Sequence, residues 1–252
     1  MVGKRKNLFI AVGLIVVGLL VTGIWKIGQI DSAERDREEL GNTDIEMVDM
    51  DVEAVDSESA LRAMVYMENN GAGGNGSIYK ITKDEVIIVT TYHLLQNGET
   101  ISIRFHDNMY VEGSVSGVNE EHDVGFVKIP LEEVPSETAK RIGAIQRNAD
   151  LYDSLAQGDY VEYLFLSYDG VFVCQESHKG AIGDMNWYVE DFNDELIYNY
   201  CEVQPGMSGC AAIAEDGSYI GMVIGGYENE SAALSIRVID KVYQELEDFT
   251  KS

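Results

Sequence analysis

Two series of short β-rich runs, separated by a linker at residues 131–155, constrain the fold of this 252-residue chain more than any other feature. The runs are β-rich and are broken by segments that contain Gly, Asn or Asp, which is typical of strands joined by tight turns. The first series covers residues 77–81, 86–92, 100–105, 110–118 and 124–129, and the second covers 160–168, 171–176, 196–203, 210–214, 219–224 and 232–236. This arrangement predicts an all-β fold of two small antiparallel barrels.

Two flanking segments complete the predicted domain. Residues 238–249 carry Val238, Val242, Leu246 and Phe249 at helical spacing, so a helix should pack on the second barrel. The glycine-rich residues 71–76 are predicted to form a flexible entry loop before the first strand. Their glycines lack the strand-to-helix context that a nucleotide-binding loop needs.

The N-terminus predicts a membrane anchor. Residues 8–24 contain no charge and would span about 26 Å as a helix, close to the hydrocarbon thickness of a bilayer. A cleaved signal peptide is the alternative, but Trp25 and Lys26 follow where small residues would mark a cleavage site. Lys4, Arg5 and Lys6 precede the apolar run, so the positive-inside rule places residues after 26 outside the cytoplasm.

Residues 27–60 are predicted to be an acidic stalk, with 12 acidic and two basic residues in a chain of net charge −26. Such charge density favours a solvated segment that repels anionic surfaces. A tail that binds a basic partner or cations is the alternative. Nucleic acid is disfavoured as a partner because phosphate contacts require clustered Lys and Arg.

The three cysteines, Cys174, Cys201 and Cys210, predict no disulfide framework. One bridge, between Cys201 and either of the others, is an alternative to three small buried hydrophobic residues. No metal site and no cofactor are expected, since the histidines and cysteines lack ligand spacing.

Residues 204–210, with the sequence QPGMSGC, place Ser208 between Gly206 and Gly209 in a turn between two apolar runs. A serine hydroxyl becomes a nucleophile when a base takes its proton and N–H groups stabilise the oxyanion. Glycine at position 206 allows the amides of Gly206 and Ser208 to point to one place. A solvated serine in an ordinary β-turn is the alternative.

His93 is the favoured base among the four histidines because it ends an apolar run that the scaffold would hold in place. His106 is interpreted as a solvated strand residue, and His178 as a loop residue. His122 adjoins Asp123, but neighbouring side chains of an extended segment point to opposite faces. Asp123 is therefore predicted to orient His93 and stabilise its imidazolium. Cys210, two residues after the serine, disfavours the α/β-hydrolase elbow.

Three segments resemble the signature blocks of trypsin-like serine proteases, nearest to the HtrA type: residues 90–93 (TTYH), 122–129 (HDVGFVKI) and 205–209 (PGMSG). The resemblance implies a protease domain over residues 61–252 with two six-stranded barrels of the chymotrypsin type. It implies His93, Asp123 and Ser208 as catalytic residues, and the amides of Gly206 and Ser208 as the oxyanion hole. It also places four residues in the substrate cleft, namely Glu202, Ile224, Gly225 and Gly226.

The chain departs from the HtrA pattern in three respects. Residues 162–168 replace a turn rich in glycine, asparagine and proline, Cys210 replaces a second glycine, and no peptide-binding PDZ domain is expected. Glu202 lies at the position that implies a charged specificity pocket if its carboxylate is buried. A Glu202 side chain that points to solvent or is neutralised by Arg237 would instead agree with the preference of HtrA-type enzymes for small apolar residues.

The sequence thus predicts a single-pass membrane protein, with an anchor at 1–26 and a serine endopeptidase domain acting on proteins or peptides outside the cytoplasm. The alternative is a catalytically silent trypsin-like domain that acts as a membrane-tethered sensor or binding module. The sequence leaves the oligomeric state and the natural substrate open.

Overall fold

The computed structural model describes residues 57–96, 98–189, 192 and 194–251. The predicted anchor and nearly all of the predicted stalk lie outside these residues. Within the described ranges, no helix is both long and apolar enough to cross a membrane. The expected boundary between stalk and domain, at residue 60, falls inside the first described helix, α1 (Ser57–Leu61).

The first barrel closes from six antiparallel strands in the order β1-β2-β3-β6-β5-β4. They are β1 (Met64–Asn69), β2 (Ala72–Ile81), β3 (Glu85–Thr91), β4 (Thr100–Phe105), β5 (Tyr110–Asn119) and β6 (Val124–Pro130). The pairing of β3 with β6 places Thr91 opposite Val124. The residues just after Thr91 and just before Val124 therefore meet at one end of this barrel.

The second barrel repeats this plan in the order β10-β11-β12-β9-β8-β7. Its strands are β7 (Tyr160–Tyr168), β8 (Val173–Val189), β9 (Asp194–Tyr200), β10 (Ala211–Ile213), β11 (Tyr219–Tyr227) and β12 (Glu230–Ser235). The segment between β9 and β10 contains Ser208.

Apart from α1, the described helices lie in the connections and at the C-terminal end. Helix α2 (Tyr92–Leu95) follows β3, and the linker holds a 3₁₀ turn (Leu131–Glu133), α3 (Ser136–Ala139) and α4 (Ala149–Ser154). Asn148 caps α4 by accepting a hydrogen bond from the Leu151 amide at 3.1 Å. The terminal helix, α5 (Ile236–Lys251), buries Ile239 and Val242 against the barrels.

The apolar core is continuous between the barrels, and β7 shows how. Val161, Tyr163 and Phe165 point into the second barrel, whereas Leu164 and Leu166 join the cluster that fills the first barrel and the interface. Because successive side chains of a strand alternate between its faces, a strand buried on both faces must be apolar throughout. This explains the unbroken apolar sequence of residues 163–166.

The structure confirms the two predicted barrels and the presence of the C-terminal helix. This helix packs on both barrels rather than on the second alone, since Tyr243 stacks on Tyr79 and Phe126 of the first barrel. Several other elements are also corrected. Residues 72–76 belong to β2 rather than to an entry loop, and β1 was missed. Strand β8 is much longer than the predicted run at 171–176 and includes His178. Most β8 side chains are exposed or half-buried, so hydrogen bonding to β7 and β9, rather than apolar periodicity, forms this strand.

Candidate active site

His93 and Asp123 lie in direct contact at the end of the first barrel. His93 is in the first turn of α2, just after β3, and Asp123 immediately precedes β6. The Asp123 carboxylate accepts two hydrogen bonds from His93, one from the backbone amide to Oδ1 at 2.9 Å and one from Nδ1 to Oδ2 at 2.7 Å. This two-point contact fixes both the position and the tautomer of the imidazole, since Nδ1 must carry its proton.

Asp123 has a left-handed backbone conformation with φ of 50°. Such a conformation is uncommon outside glycine, although Asp and Asn tolerate it better than other residues. The Asp123 carbonyl accepts a hydrogen bond from the Tyr92 amide at 3.1 Å. The turn is thus secured to the start of α2, which carries the side chain that Asp123 orients.

Ser208 approaches the same end of the first barrel from the second barrel. Its carbonyl accepts a hydrogen bond from the Asn75 amide of β2 at 2.8 Å. A Cβ atom placed on Gly74 would lie 3.2 Å from the Ser208 carbonyl and 2.9 Å from the Leu94 side chain. Ser208 and the helix that carries His93 therefore meet across Gly74. His93 Nε2 lies 3.4 Å from the Thr91 hydroxyl.

The loop around Ser208, residues 204–210, leaves two amides available. Met207 donates to the Gln204 carbonyl, Gly209 to that of Val223, and Cys210 to that of Met207. Neither the Gly206 nor the Ser208 amide donates a hydrogen bond to any residue that the structure describes. Gly206 adopts a φ of 97°, which a side chain would strain. The two free amides are the donors that the sequence predicted for an oxyanion hole.

The predicted cleft residues lie on the loop and on β11. Ile224 is buried, whereas Gly225 and Gly226 are partly exposed, and a register shift between Val223 and Gly225 marks a bulge there. A Cβ atom on Gly226 would lie 2.6 Å from Val203 Cγ2. Val203 therefore packs directly against Gly226 and narrows the space between the loop and β11.

Glu202 is exposed, so its carboxylate lacks the burial on which the charged-pocket hypothesis depended. Arg237, the predicted neutralising partner, is paired with Asp153 instead. The Glu202 carbonyl accepts a hydrogen bond from His178 Nδ1 at 2.8 Å. The arrangement matches the solvent-facing alternative, and a role for Glu202 in substrate binding stays a prediction.

A concave region lies beside Gly206, between the two barrels. It encloses about 200 Å³ and is lined by Tyr66 and Gly73 of the first barrel, by residues 165–168 of β7, and by Gln204 to Gly206 of the loop. Because Gly206 is one of its lining residues, this region adjoins the loop around Ser208.

Comparison with known proteins identifies the family. The model of the trypsin-like peptidase domain matches residues 74–222, more than half of the chain. This chain belongs to the trypsin-like peptidase family. The resemblance predicted from the three sequence blocks is therefore confirmed.

The relatives of this trypsin-like domain include proteins named "Serine protease HtrA-like" from Staphylococcus aureus strains MRSA252, USA300 and COL. Each is 27% identical over 192 residues, which is 69% of this chain and 23% of the relative. The match thus covers under a quarter of the length of these relatives.

The other histidines of the trypsin-like domain lie away from Ser208 or face other partners. His122 is buried, with Nδ1 3.4 Å from the carboxylate of Asp194 at the start of β9. His106 is half-buried just past the end of β4, rather than solvated on that strand, and burial lowers its pKa. His178 lies within β8 and stacks edge-on against Phe165, so its assignment to a loop was wrong.

The three cysteines are unpaired in the structure. Cys201 and Cys210 are buried as predicted, whereas Cys174 is exposed on β8. Burial raises the pKa of the Cys201 thiol to about 12. Across the described ranges, no group of three or more His, Cys, Asp or Glu residues is placed to hold a metal ion.

Sequence reasoning missed Asn75, a fully buried residue of β2 that hydrogen-bonds to the loop around Ser208. Its signal was an isolated asparagine within a run of glycines, which was interpreted as part of a loop. A strand whose glycines permit close approach of another backbone has the same composition.

Proposed function

We propose that residues 61–252 form a serine endopeptidase domain in which Ser208 is the nucleophile, His93 the general base and Asp123 the residue that orients His93. The observation that supports this most strongly is the two-point contact between Asp123 and His93, beside a loop whose Gly206 and Ser208 amides are free. A base held in one tautomer and a preorganised pair of donors are the two requirements of acyl transfer by serine.

The proposed reaction begins when Ser208 Oγ attacks the scissile carbonyl carbon and its proton passes to His93 Nε2. Asp123 stabilises the imidazolium that results, and the amides of Gly206 and Ser208 bind the oxyanion. The C–N bond then breaks as Nε2 returns the proton to the leaving amine. Water, activated by the same imidazole, releases the acyl group and restores the serine. No cofactor takes part in these steps.

The proposed substrates are proteins or peptides cleaved after small apolar residues. The contact between Val203 and Gly226 leaves little depth beside the loop, and the exposed Glu202 offers no buried charge for Lys or Arg. A peptide library should show cleavage after Ala or Val. Cleavage after Lys or Arg that is lost in Glu202→Ala would instead establish the charged pocket.

The proposed setting is the outer side of a membrane. It depends on the uncharged run at residues 8–24, on Lys4, Arg5 and Lys6 before that run, and on the acidic stretch after it. Residues 1–26 would anchor the chain and residues 27–60 would separate the protease domain from the bilayer. Protease added to intact cells or spheroplasts should then remove the domain, whereas full protection without permeabilisation would reverse the orientation.

A catalytically silent binding module is the second candidate. It is favoured by the surroundings of His93 Nε2, because the hydroxyl that contacts this nitrogen belongs to Thr91 rather than to Ser208. The deciding experiment is labelling by a fluorophosphonate probe, comparing the intact protein with Ser208→Ala. The endopeptidase proposal predicts label on the intact protein alone, whereas a silent module takes up no label in either form.

The choice of base is tested with the same probe. His93→Ala should abolish labelling, while His106→Ala and His178→Ala should leave it nearly unchanged. Loss of labelling in His122→Ala combined with tolerance of His93→Ala would refute the assignment.

A further inference from the structure

The Asn75 side chain lies buried where the two barrels meet. Asn75 pairs with Tyr66 in the β1–β2 ladder and has no exposed surface. Its carbonyl accepts a hydrogen bond from the Thr90 hydroxyl at 2.6 Å. A Cβ atom on Gly209 would lie 2.0 Å from that carbonyl, so the loop around Ser208 can approach β2 only with glycine at position 209.

The carboxamide of Asn75 uses both its donor and its acceptor groups. Nδ2 donates to the Gly206 carbonyl at 2.8 Å and to the Leu166 carbonyl at 3.2 Å, while Oδ1 accepts from the Leu166 amide at 2.7 Å. An aspartate in this place would lack the donors, and an apolar residue would lack every contact. Asn75 thereby joins the loop around Ser208 to β7.

The backbone of Asn75 secures the same loop at a second point, because its amide donates to the Ser208 carbonyl at 2.8 Å. Asn75 thus holds the carbonyls of Gly206 and Ser208. These two anchors bracket Met207 and with it the peptide plane that carries the Ser208 amide. Since the amides of Gly206 and Ser208 make no hydrogen bonds of their own to described residues, their directions depend on such anchors.

We propose that Asn75 is a positioning residue that holds the Gly206 and Ser208 amides in the geometry that binds an oxyanion. The inference rests on the proposed serine endopeptidase function and adds to it a residue outside the His93, Asp123 and Ser208 set. Asn75 itself touches neither the substrate nor the reacting atoms. Its contribution is absent from the ground state, because the oxyanion forms only in the tetrahedral intermediate and the transition states around it.

The test uses the full chain with Asn75→Leu, which keeps the branched outline of the side chain and removes its hydrogen bonds. Asn75→Ser, a smaller side chain that leaves room for a water molecule, is the second variant if the leucine variant fails to fold. Asn199→Leu is the matched control, because Asn199 is also fully buried and hydrogen-bonded, to the Ile197 carbonyl, but makes no hydrogen bond to the described residues 204–210. The parameters kcat and KM are measured on a peptide cleaved after Ala or Val. The value of kcat is calculated per active site, with active sites titrated by a fluorophosphonate.

A peptide aldehyde supplies the second readout, since its hemiacetal with Ser208 places an oxyanion in the hole. Both Asn75 variants should lower kcat by about 10-fold to 100-fold with KM changed less than about threefold. They should weaken the aldehyde by the same factor as kcat/KM. Asn199→Leu should reduce the stability of the fold and leave kcat per active site unchanged.

The proposal is overturned if kcat and aldehyde affinity stay unchanged, if only KM rises, or if Asn199→Leu produces the same loss per active site. If the wild-type chain neither labels nor cleaves, the endopeptidase function fails and amide hydrogen exchange decides the inference separately. Faster exchange at Met207 and Gly209 in Asn75→Leu would support the positioning role, and unchanged exchange at both would reject it.

Discussion

The substitution Asp123→Asn should change the tautomer of His93 while leaving the stability of the fold nearly unchanged. Asparagine has the size of aspartate and tolerates the left-handed backbone at this position, so the turn before β6 should form normally. Both His93 groups that face Asp123 are donors, the backbone amide at 2.9 Å and Nδ1 at 2.7 Å. A carboxylate accepts both bonds, whereas an asparagine side chain offers one acceptor and one donor group.

The size of the expected fall in kcat follows from this mismatch between donors and acceptors. If Oδ1 of the asparagine accepts the His93 amide, Nδ2 faces Nδ1, and the imidazole can avoid two opposed donors only by placing its proton on Nε2. Protonated Nε2 cannot take the proton of Ser208. We therefore expect kcat to fall by about 10⁴-fold, which corresponds to roughly 5.4 kcal/mol of transition-state stabilisation. KM should change by less than about threefold, because Asp123 does not touch the substrate.

The assay measures kcat and KM on the purified full chain, the rate of fluorophosphonate labelling, and urea unfolding. Asp194→Asn is the matched control, because Asp194 faces a different histidine, His122. The control should keep kcat within about tenfold of wild type. A fall of less than tenfold in Asp123→Asn, with unfolding like that of wild type, would refute the proposed role of Asp123.

Three further predictions concern the thiols, His106 and the cleft. Ellman's reagent should titrate the exposed Cys174 in the native protein, and the buried Cys201 and Cys210 only after denaturation. Burial raises the pKa of the Cys201 thiol to about 12, so a rapid reaction of Cys201 in the native protein would contradict this prediction. Burial lowers the pKa of His106 below its ordinary value of 6.5. As the pH falls, the His106 imidazole is therefore protonated first in the unfolded chain, and the free energy of unfolding decreases below about pH 6.5. His106→Gln should flatten the decline in the free energy of unfolding between pH 7.5 and 5, and an unchanged slope would contradict the assignment. Val203→Ala should raise cleavage after Leu relative to Ala by about 10-fold, measured as a ratio of kcat/KM, because it deepens the space beside Gly226; an unchanged ratio would place the specificity pocket elsewhere.

The alternation and spacing of apolar residues were sufficient to predict the two barrels and the C-terminal helix, because burial of one strand face or one helix stripe leaves a local pattern. The order of His93, Asp123 and Ser208 was likewise visible in short local blocks. The contact between His93 and Asp123 agrees with that prediction, since it arises where two paired strands end.

Other features depend on distant parts of the chain and left no local pattern. Strand β8 is mostly polar and exists because β7 and β9 supply hydrogen-bond partners on both sides. The contact between His122 and Asp194 joins the two barrels, and so do the hydrogen bonds of Asn75 to Gly206 and Leu166. Both sets of contacts therefore depend on the packing of one barrel on the other. Composition and periodicity therefore determined the kinds of element in this protein, whereas the packing of one barrel on the other decided which polar groups are buried and what they bind. The physical reason is that apolar periodicity is a property of neighbouring residues, while the hydrogen bonds of a buried polar side chain depend on residues far away in the sequence.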